Sequence, residues 1–274
     1  MDLGIEVILA LFSKKGLQEI FDFAEQQQSI ESENAKRIFA LQGKYINTID
    51  SVISFLQGHN PTLARQICTE NYLPEASRFI ENDYMEWAFG NMGMADKAKH
   101  LATLYIEDLT DFIQENVDAN FGVSRYAEQL GKSANSFDEL HEELSYELSY
   151  IDKISLGILA QKVTEHQPKL VCISAPFPGN LFSAFRCAQY IKEAYPSIKI
   201  AMGGGFANTE LRSINEPKVF DYFDFITLDD GELPIELLHS FVKSKSETKD
   251  FLFKRTFLRE SGEVLYNNFS LRKD

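Results

Sequence analysis

Residues 169–205 read KLVCISAPFPGNLFSAFRCAQYIKEAYPSIKIAMGGG, and this stretch decides the fold. The short apolar run LVCIS is followed by the breaker PFPGN, a segment with helical spacing, and a second apolar run that enters three glycines. Short, nearly all-apolar runs are typical of strands that are buried on both faces. The stretch therefore predicts a strand–helix–strand unit whose two strands lie parallel.

The pattern continues towards the carboxyl terminus. FANTELRSI predicts a short helix, FDFITL a third strand and LPIELLHSFVKS a further helix, with the turn DDGE between the last two. Alternating strands and helices predict an α/β fold with a parallel sheet, which we place at residues 166–246. FLFKRTFLRE and EVLYNNF, joined around Ser261-Gly262, predict a β-hairpin within a tail or linker at residues 247–274.

The preceding residues, 1–165, predict a large helical region. Its first 160 residues contain two prolines, and apolar residues recur at helical spacing, as in Ile5, Ile8, Leu9 and Phe12. We expect a helix to start at Asn60-Pro61-Thr62, one to end within 84–93, and a long one at 95–117. Ser136 and Glu139 resemble a capping box that opens another helix, running to about residue 164.

Composition and charge exclude several classes of protein. The 274 residues are 44% hydrophobic and 25% charged, as in globular proteins, and the net charge is −14. An acidic chain is poorly suited to nucleic acid or to an anionic membrane surface, so we expect neither as a partner. No apolar run approaches the length of a membrane span, and Asp2 and Glu6 argue against a secretory signal peptide.

The cysteines argue against a disulfide framework and against a cluster site. Cys68, Cys172 and Cys187 are odd in number, and no two have CxxC spacing. We expect Cys172, within a strand, and Cys187, on a helix, to be small core residues. This cysteine usage favours a cytoplasmic location.

Ligands of open parallel sheets bind beyond the carboxyl ends of the strands. Three loops fall there, at residues 174–180, 203–208 and 229–232, and Gly203, Gly204 and Gly205 permit close approach of a ligand. The same residue types also serve turn geometry alone, and Asp229-Asp230 either caps the next helix or binds a cation or hydroxyl group. Three such loops at one edge favour a cleft.

Several motifs are absent from the sequence. It contains no dinucleotide-binding fingerprint GxGxxG after a strand, and the absence of GxxxxGK[ST] excludes a P-loop NTPase. HExxH and GxSxG are absent too, so no zinc-ligand spacing among the histidines and no Ser–His–Asp order can be argued. The five histidines are expected to be structural, and we expect no metal ligands. A receiver domain is disfavoured because the acidic pair follows the third visible strand and no matching lysine ends a strand.

Three segments, PFPGN, GGGFANTELR and FDYFDFITLDDGE, resemble the cobalamin-binding domain of cobalamin-dependent radical S-adenosylmethionine proteins. In the helical region QGHNPTLARQI, WAFGNMG, DKAKHLATLYIEDLTDFI and FGVSRYAEQL resemble the same subgroup. The resemblance implies a Rossmann-like sheet that holds the corrin at its carboxyl edge. It assigns these residues to the cofactor site: Ser174, Pro178, Gly179, Asn180, Gly203, Gly204, Gly205, Phe206, Asn208, Asp229, Asp230, Gly231 and Glu232.

The sequence also departs from this family. The motif DxHxxG, which supplies a lower axial histidine in the methionine-synthase type, is absent. So is CxxxCxxC, which holds the [4Fe–4S] cluster where S-adenosylmethionine is cleaved, and the family's first strand and helix are expected before Met1. We therefore expect a cobalamin-binding module without catalysis of its own, truncated at both ends, whose partners are a corrin and the radical domain of the full-length protein. The alternative is a cofactor-free interaction module with a degenerate cobalamin-binding fold.

Overall fold

The structure, a computed structural model, describes residues 1–80, 93–119, 121–122, 137–244 and 251–269. The chain divides into two compact units. Among the described residues, the first unit comprises those up to residue 122 together with Ser149–Ile158, and the second comprises residues 137–148 and those from Leu159 onward. The expected helix end within 84–93 and the Ser136 cap lie outside the described residues.

The first unit is helical, as the apolar periodicity predicts. Its helices are α1 (Leu3–Leu11), α2 (Lys14–Gln27), α3 (Glu33–Ala40), α4 (Gln42–Leu56), α5 (Ala64–Ile67), α6 (Ser77–Ile80) and α7 (Met94–Asn116). The proline at residue 61 opens a 3₁₀ turn, Pro61–Leu63, that leads into α5. The long helix predicted at 95–117 is confirmed as α7.

Side-chain caps and an aromatic core hold these helices in place. Asp2, Ser13 and Ser32 each accept a hydrogen bond from the amide three residues onward, which caps α1, α2 and α3. In the core, the rings of Phe21 and Phe112 lie 5.0 Å apart between centroids, and both are fully buried. The described helices therefore bury one shared apolar core.

The single helix predicted from residue 137 to about 164 is wrong. The structure has two helices, α8 (Phe137–Ser145) and α9 (Tyr150–His166). Ser149 Oγ accepts a hydrogen bond from the Asp152 amide, and the Ser149 amide donates to Asp152 Oδ2. This reciprocal capping box starts a new helix and explains the break, which the helical spacing alone concealed.

The second unit contains the alternating elements predicted from the sequence. They are β1 (Leu170–Ser174), α10 (Leu181–Ala194), β2 (Lys199–Gly203), α11 (Gly205–Glu210), β3 (Phe225–Thr227), α12 (Glu232–Ser244), β4 (Thr256–Glu260) and β5 (Glu263–Asn267). Short 3₁₀ turns at Pro178–Asn180 and Pro217–Asp221 precede α10 and β3. The chain is therefore a mixed α/β protein with a large helical part.

The sheet has five strands in the order β1-β2-β3-β4-β5. The pairs β1–β2 and β2–β3 are parallel, as predicted, whereas β4 pairs antiparallel with β3 and with β5. The parallel strands β1 to β3 and the hairpin are both confirmed, but the hairpin was predicted apart from the sheet, and that separation is wrong. The hairpin joins the sheet because β3 offers a free edge and β4 supplies Phe257 and Leu258, which are buried there.

The two faces of the sheet are covered to different extents. On one face, Ala201, Phe225 and Leu258 pack in a core cluster with Leu238 and Phe241 of α12. On the opposite face Ile200, Met202 and Ile226 are completely buried. The central strands are thus buried on both sides, as their apolar sequence predicts.

Strand β1 departs from that pattern. Its residues are half-buried or exposed, and Cys172 is exposed. The expectation that β1 is buried on both faces, with Cys172 in the core, is therefore wrong, because β1 is an edge strand among the described strands. Cys187 is buried on α10, as predicted. No described helix is both long enough and apolar enough to cross a membrane.

Asp224 ties the amino end of β3 to its surroundings. Its carboxylate accepts hydrogen bonds from Lys192 Nζ at 2.6 Å, Lys199 Nζ at 2.9 Å and the Ile200 amide at 2.9 Å. Burial alone raises the pKa of this carboxyl, but the three hydrogen bonds outweigh it, and the pKa of Asp224 is lowered. The folded state therefore favours the ionised form.

We expect Asp224→Asn to lower the free energy of unfolding by about 1–2 kcal/mol at pH 7. A lowered pKa stabilises the fold above the unfolded value of about 3.9, and this stabilisation is lost as the pH falls through the folded pKa. In urea unfolding followed from pH 7 downwards, the difference from wild type should shrink below about pH 4. Asp221→Asn is the control, since Asp221 makes an exposed pair with Arg259. A difference that stays constant with pH would contradict this assignment.

Candidate functional site

The loops after β1 and β2 are bound directly to each other at the carboxyl edge of the sheet. The Ala175 amide donates to Gly203 O at 2.9 Å, and the Phe206 amide donates to Ala175 O at 3.0 Å. The predicted convergence of these two loops is present in the structure. Backbone, not side chains, forms the junction.

The three glycines make this junction possible. A Cβ at Gly204 would lie 2.9 Å from Ala175 O, and one at Gly205 would lie 2.5 Å from Pro176 O. Gly204 also has φ +101°, a left-handed conformation that favours glycine. A Cβ at Gly203 would lie 2.7 Å from Thr227 Oγ1 on the neighbouring strand. All three glycines are therefore required, because they let this segment pack closely against the loop after β1 and against Thr227 of β3.

We expect Gly204→Ala to lower the free energy of unfolding of the second unit by about 2–3 kcal/mol, because both the clash and the positive φ oppose a side chain. Gly262→Ala is a matched control. Gly262 has φ +89° and open space around it, so it isolates the conformational cost of about 1 kcal/mol. Chemical denaturation would compare the two variants. Equal losses would show that the contact with Ala175 is unimportant.

The loop after β3 is fixed by residues of the loop after β2. The Asp229 amide donates to Asn208 Oδ1 at 2.5 Å, and the Asp229 carboxylate accepts a hydrogen bond from Arg212 Nη2. Arg212 Nε donates to Asn208 O at 2.7 Å. Asp229 adopts a left-handed backbone with φ +57°. The sequence predicted that Asp229 either caps the next helix or binds a ligand. In the structure its carboxylate instead forms an ion pair with Arg212.

Asp230 is paired on the other side of the same loop. Arg255 Nη2 donates to Asp230 O at 3.2 Å, and Arg255 Nη1 lies 3.6 Å from Asp230 Oδ2. The Leu228 amide donates to Arg255 O at 2.9 Å. Glu232, at the start of α12, is exposed. Two arginines thus offset two of the three acidic charges at this edge.

A strip of small residues lies open on the sheet face that α12 packs against. Cys172 is paired in register with Ala201, and Ser174 with Gly203, so these side chains lie on the same face as the core residue Ala201. Cys172 and Ser174 are exposed, which shows that α12 does not cover them. Thr227 borders Gly203 on β3. The Thr227 side chain is itself buried, so it bounds this surface on the β3 side. We call Cys172, Ser174 and Gly203 the open strip.

Exposed apolar side chains stand around the same edge. Phe177, in the loop after β1, is 49% exposed, and Leu233 and Ile235, in the first turn of α12, are each 43% exposed. Ile235 Cδ1 lies within contact distance of where a Gly231 side chain would be. The edge therefore presents apolar groups beside acidic ones.

The remaining candidate residues are spread along the first two loops. Pro178, Gly179 and Asn180 form the 3₁₀ turn that leads into α10, and Gly179 and Asn180 are exposed. The Asn180 amide donates to Phe177 O at 3.0 Å, which closes this turn on itself. Phe206 lies in α11, where its amide bonds to Ala175. The structure gives no contact between Pro178–Asn180 and the acidic loop.

The helical unit also carries surface depressions. Two shallow depressions lie on the helical unit, one of about 370 Å³ beside Gln66 and Tyr72 and one of about 480 Å³ beside Lys14 and Ile46. Neither includes a residue of the three loops. Among the residues that the structure describes, no group of three or more His, Cys, Asp or Glu side chains is placed to hold a metal ion.

Comparisons of the chain with protein-family models, with curated proteins and with solved structures found no match.

Sequence reasoning missed several residues of this edge. It assigned Cys172 to the core, and it did not single out Arg212, Thr227 or Arg255. The signal for Cys172 was its place in the first visible strand, since an outermost strand leaves one side uncovered. Arg212 lies 17 residues from Asp229, and Arg255 lies 25 residues from Asp230. No local sequence pattern predicts ion pairs over such separations.

Proposed function

We propose that this chain is the cobalamin-binding module of a cobalamin-dependent radical S-adenosylmethionine protein, with a Rossmann-like arrangement of β1, β2 and β3. The corrin lies at the carboxyl edge of the sheet, and part of the cofactor rests on the open strip. The proposal comes from the resemblance of residues 168–238 to that family. The open strip is the structural observation that supports it best.

The shape of the open strip fits a flat, extended ligand. Its floor is formed by Cys172, Ser174 and Gly203, none of which has a side chain larger than a thiol. A Cβ at residue 203 would lie 2.7 Å from Thr227 Oγ1, so the buried Thr227 side chain limits the floor on the β3 side. A planar aromatic or macrocyclic group gains most from such a surface, because it buries its full face.

The groups around the open strip suit the edges of a corrin. Its periphery carries amide side chains, which donate hydrogen bonds to carboxylates and accept them from backbone amides. Glu232 and Asp230 offer exposed carboxylate oxygens, and Phe177, Leu233 and Ile235 offer apolar contact. These residues would bind and orient the cofactor and exclude water from the surface that they contact.

The cofactor and the residues of this chain have different expected roles. When bound, the corrin supplies a cobalt centre that carries a methyl group or assists a radical step in the complete enzyme. No histidine belongs to the site, so this chain is not expected to supply an imidazole ligand to cobalt. Its own residues hold and orient the group, and we expect no catalysis from these 274 residues alone.

Binding is tested directly with the purified 274-residue chain. The protein is incubated with hydroxocobalamin and desalted, and the visible absorbance of the protein fraction is recorded. We expect corrin absorbance to travel with the protein in a stoichiometry near one. Absorbance no higher than that of an unrelated acidic protein would overturn the proposal.

The second candidate is a cofactor-free interaction module, and one observation favours it. Asp229 and Asp230 are already paired with Arg212 and Arg255, and the Asn208 side chain already binds the Asp229 amide. The acidic loop is thus complete without a ligand. A negative result in the desalting experiment, with a normally folded protein, would favour this candidate.

A further inference from the structure

The acidic loop after β3 carries a residue in an unfavourable backbone conformation. Asp229 has φ +57°, and a left-handed non-glycine residue persists only where its surroundings hold it. Its neighbours in the loop, Asp230 and Glu232, are exposed. The backbone conformation at Asp229 sets the direction in which the chain enters α12.

Two residues, Asn208 on α11 and Arg212 just after that helix, hold Asp229 by both its backbone and its side chain. Asn208 Oδ1 accepts the Asp229 amide proton, and Arg212 Nη2 donates to the Asp229 carboxylate. Arg212 Nε also donates to Asn208 O, so the two holding residues are fixed to each other. One guanidinium therefore bridges the Asp229 carboxylate and the backbone carbonyl of Asn208 on α11.

We infer that Asn208 and Arg212 are positioning residues that hold the acidic loop in its ligand-ready form before any ligand arrives. The geometry supplies the reason, because α12 begins three residues after Asp229 and carries the exposed Leu233 and Ile235 in its first turn. A loop released at Asp229 would move that turn. The effect on ligand affinity rests on the proposed function, whereas the effect on the loop does not.

Hydrogen exchange in the ligand-free chain tests the loop itself. Wild type is compared with Arg212→Gln, Arg212→Lys and Asn208→Ala by mass spectrometry of peptides that cover residues 226–233. We expect the Asp229 amide to exchange at least about tenfold faster in Asn208→Ala and Arg212→Gln, a ratio that corresponds to about 1.4 kcal/mol. Arg212→Lys should retain more protection than Arg212→Gln, since lysine keeps the positive charge but cannot donate to Asp229 and Asn208 O with the planar geometry of a guanidinium.

Two outcomes separate this inference from the proposed function. If the variants exchange faster and wild type binds no cobalamin, the positioning role stands for the loop and the proposed ligand is wrong. If wild type binds cobalamin, Arg212→Gln should weaken binding several-fold while the urea midpoint changes little, because the ion pair is more than half exposed on its arginine side. Unchanged exchange at residue 229 in both Arg212→Gln and Asn208→Ala would overturn the inference.

Discussion

Cys172→Trp is expected to abolish cobalamin binding while the protein still folds. Cys172 is exposed on β1, so an indole at this position can extend into solvent beside its register partner Ala201, and tryptophan is well tolerated in strands. The ring would lie across the open strip, over Ser174 and Gly203, where the cofactor is proposed to rest. We expect a loss of affinity of at least about 100-fold, the equivalent of about 2.7 kcal/mol.

The measurement is a titration with hydroxocobalamin followed by its visible spectrum. Cys172→Ser is the matched control, because it keeps the size of the side chain and should bind like wild type. Urea unfolding of both variants verifies that the sheet is intact. If the tryptophan variant binds as tightly as the serine variant, the open strip is not the cofactor surface.

The largest expected loss of stability comes from Asp108→Ala in the helical unit. Asp108 is completely buried on α7. Its Oδ2 accepts the Ala76 amide at 3.0 Å and the Tyr45 hydroxyl at 3.4 Å, and its Oδ1 accepts the Arg78 amide at 3.0 Å. Alanine would leave these donors without an acceptor, at about 1–3 kcal/mol each, so we expect a loss of about 3–5 kcal/mol.

Two further variants make this prediction specific. Burial raises the pKa of the Asp108 carboxyl, partly offset by the amides of Arg78 and Ala76, so a neutral asparagine should cost less than alanine. Asp111→Ala, one turn further along α7, removes an ion pair with Arg78 whose arginine is 44% exposed, and should cost about 1 kcal/mol or less. Chemical denaturation measures all three. Equal losses for Asp108→Ala and Asp111→Ala would show that burial is not the cause.

Local sequence signals predicted most of the individual elements. The apolar runs at 170–174 and 199–203 form β1 and β2, and the segment predicted as a long helix at 95–117 forms α7. These signals succeed because the period of apolar residues depends on which face each element buries. The break before Tyr150 was missed, since a Ser149–Asp152 capping box needs only two polar residues within an otherwise helical pattern.

Properties that depend on how elements pair were not predictable from local patterns. The hairpin at Thr256–Asn267 was expected as a tail, but pairing with β3 made it part of the sheet. Cys172 has an apolar sequence environment, and only the position of β1 at the edge exposes it. At the candidate site the sequence predicted the three loops and their glycines. It did not predict that Arg212 and Arg255 pair with the acids, because those contacts span 17 and 25 residues.

The central claim is that the open strip binds cobalamin, and alkylation of Cys172 tests it most directly. Cys172 is exposed, Cys68 is half-buried and Cys187 is buried, so mass spectrometry after N-ethylmaleimide treatment can follow each thiol separately. Partial desolvation raises the pKa of the Cys172 thiol, so labelling is performed at mildly alkaline pH. Cyanocobalamin is the probe, because cyanide occupies its upper face and discourages direct thiol ligation.

We expect saturating cyanocobalamin to slow the alkylation of Cys172 at least about tenfold, because a ligand bound on the open strip covers the thiol. Cys68, in the other unit, should react at its original rate. Alkylation of Cys172 at the same rate with and without cyanocobalamin would contradict the central claim.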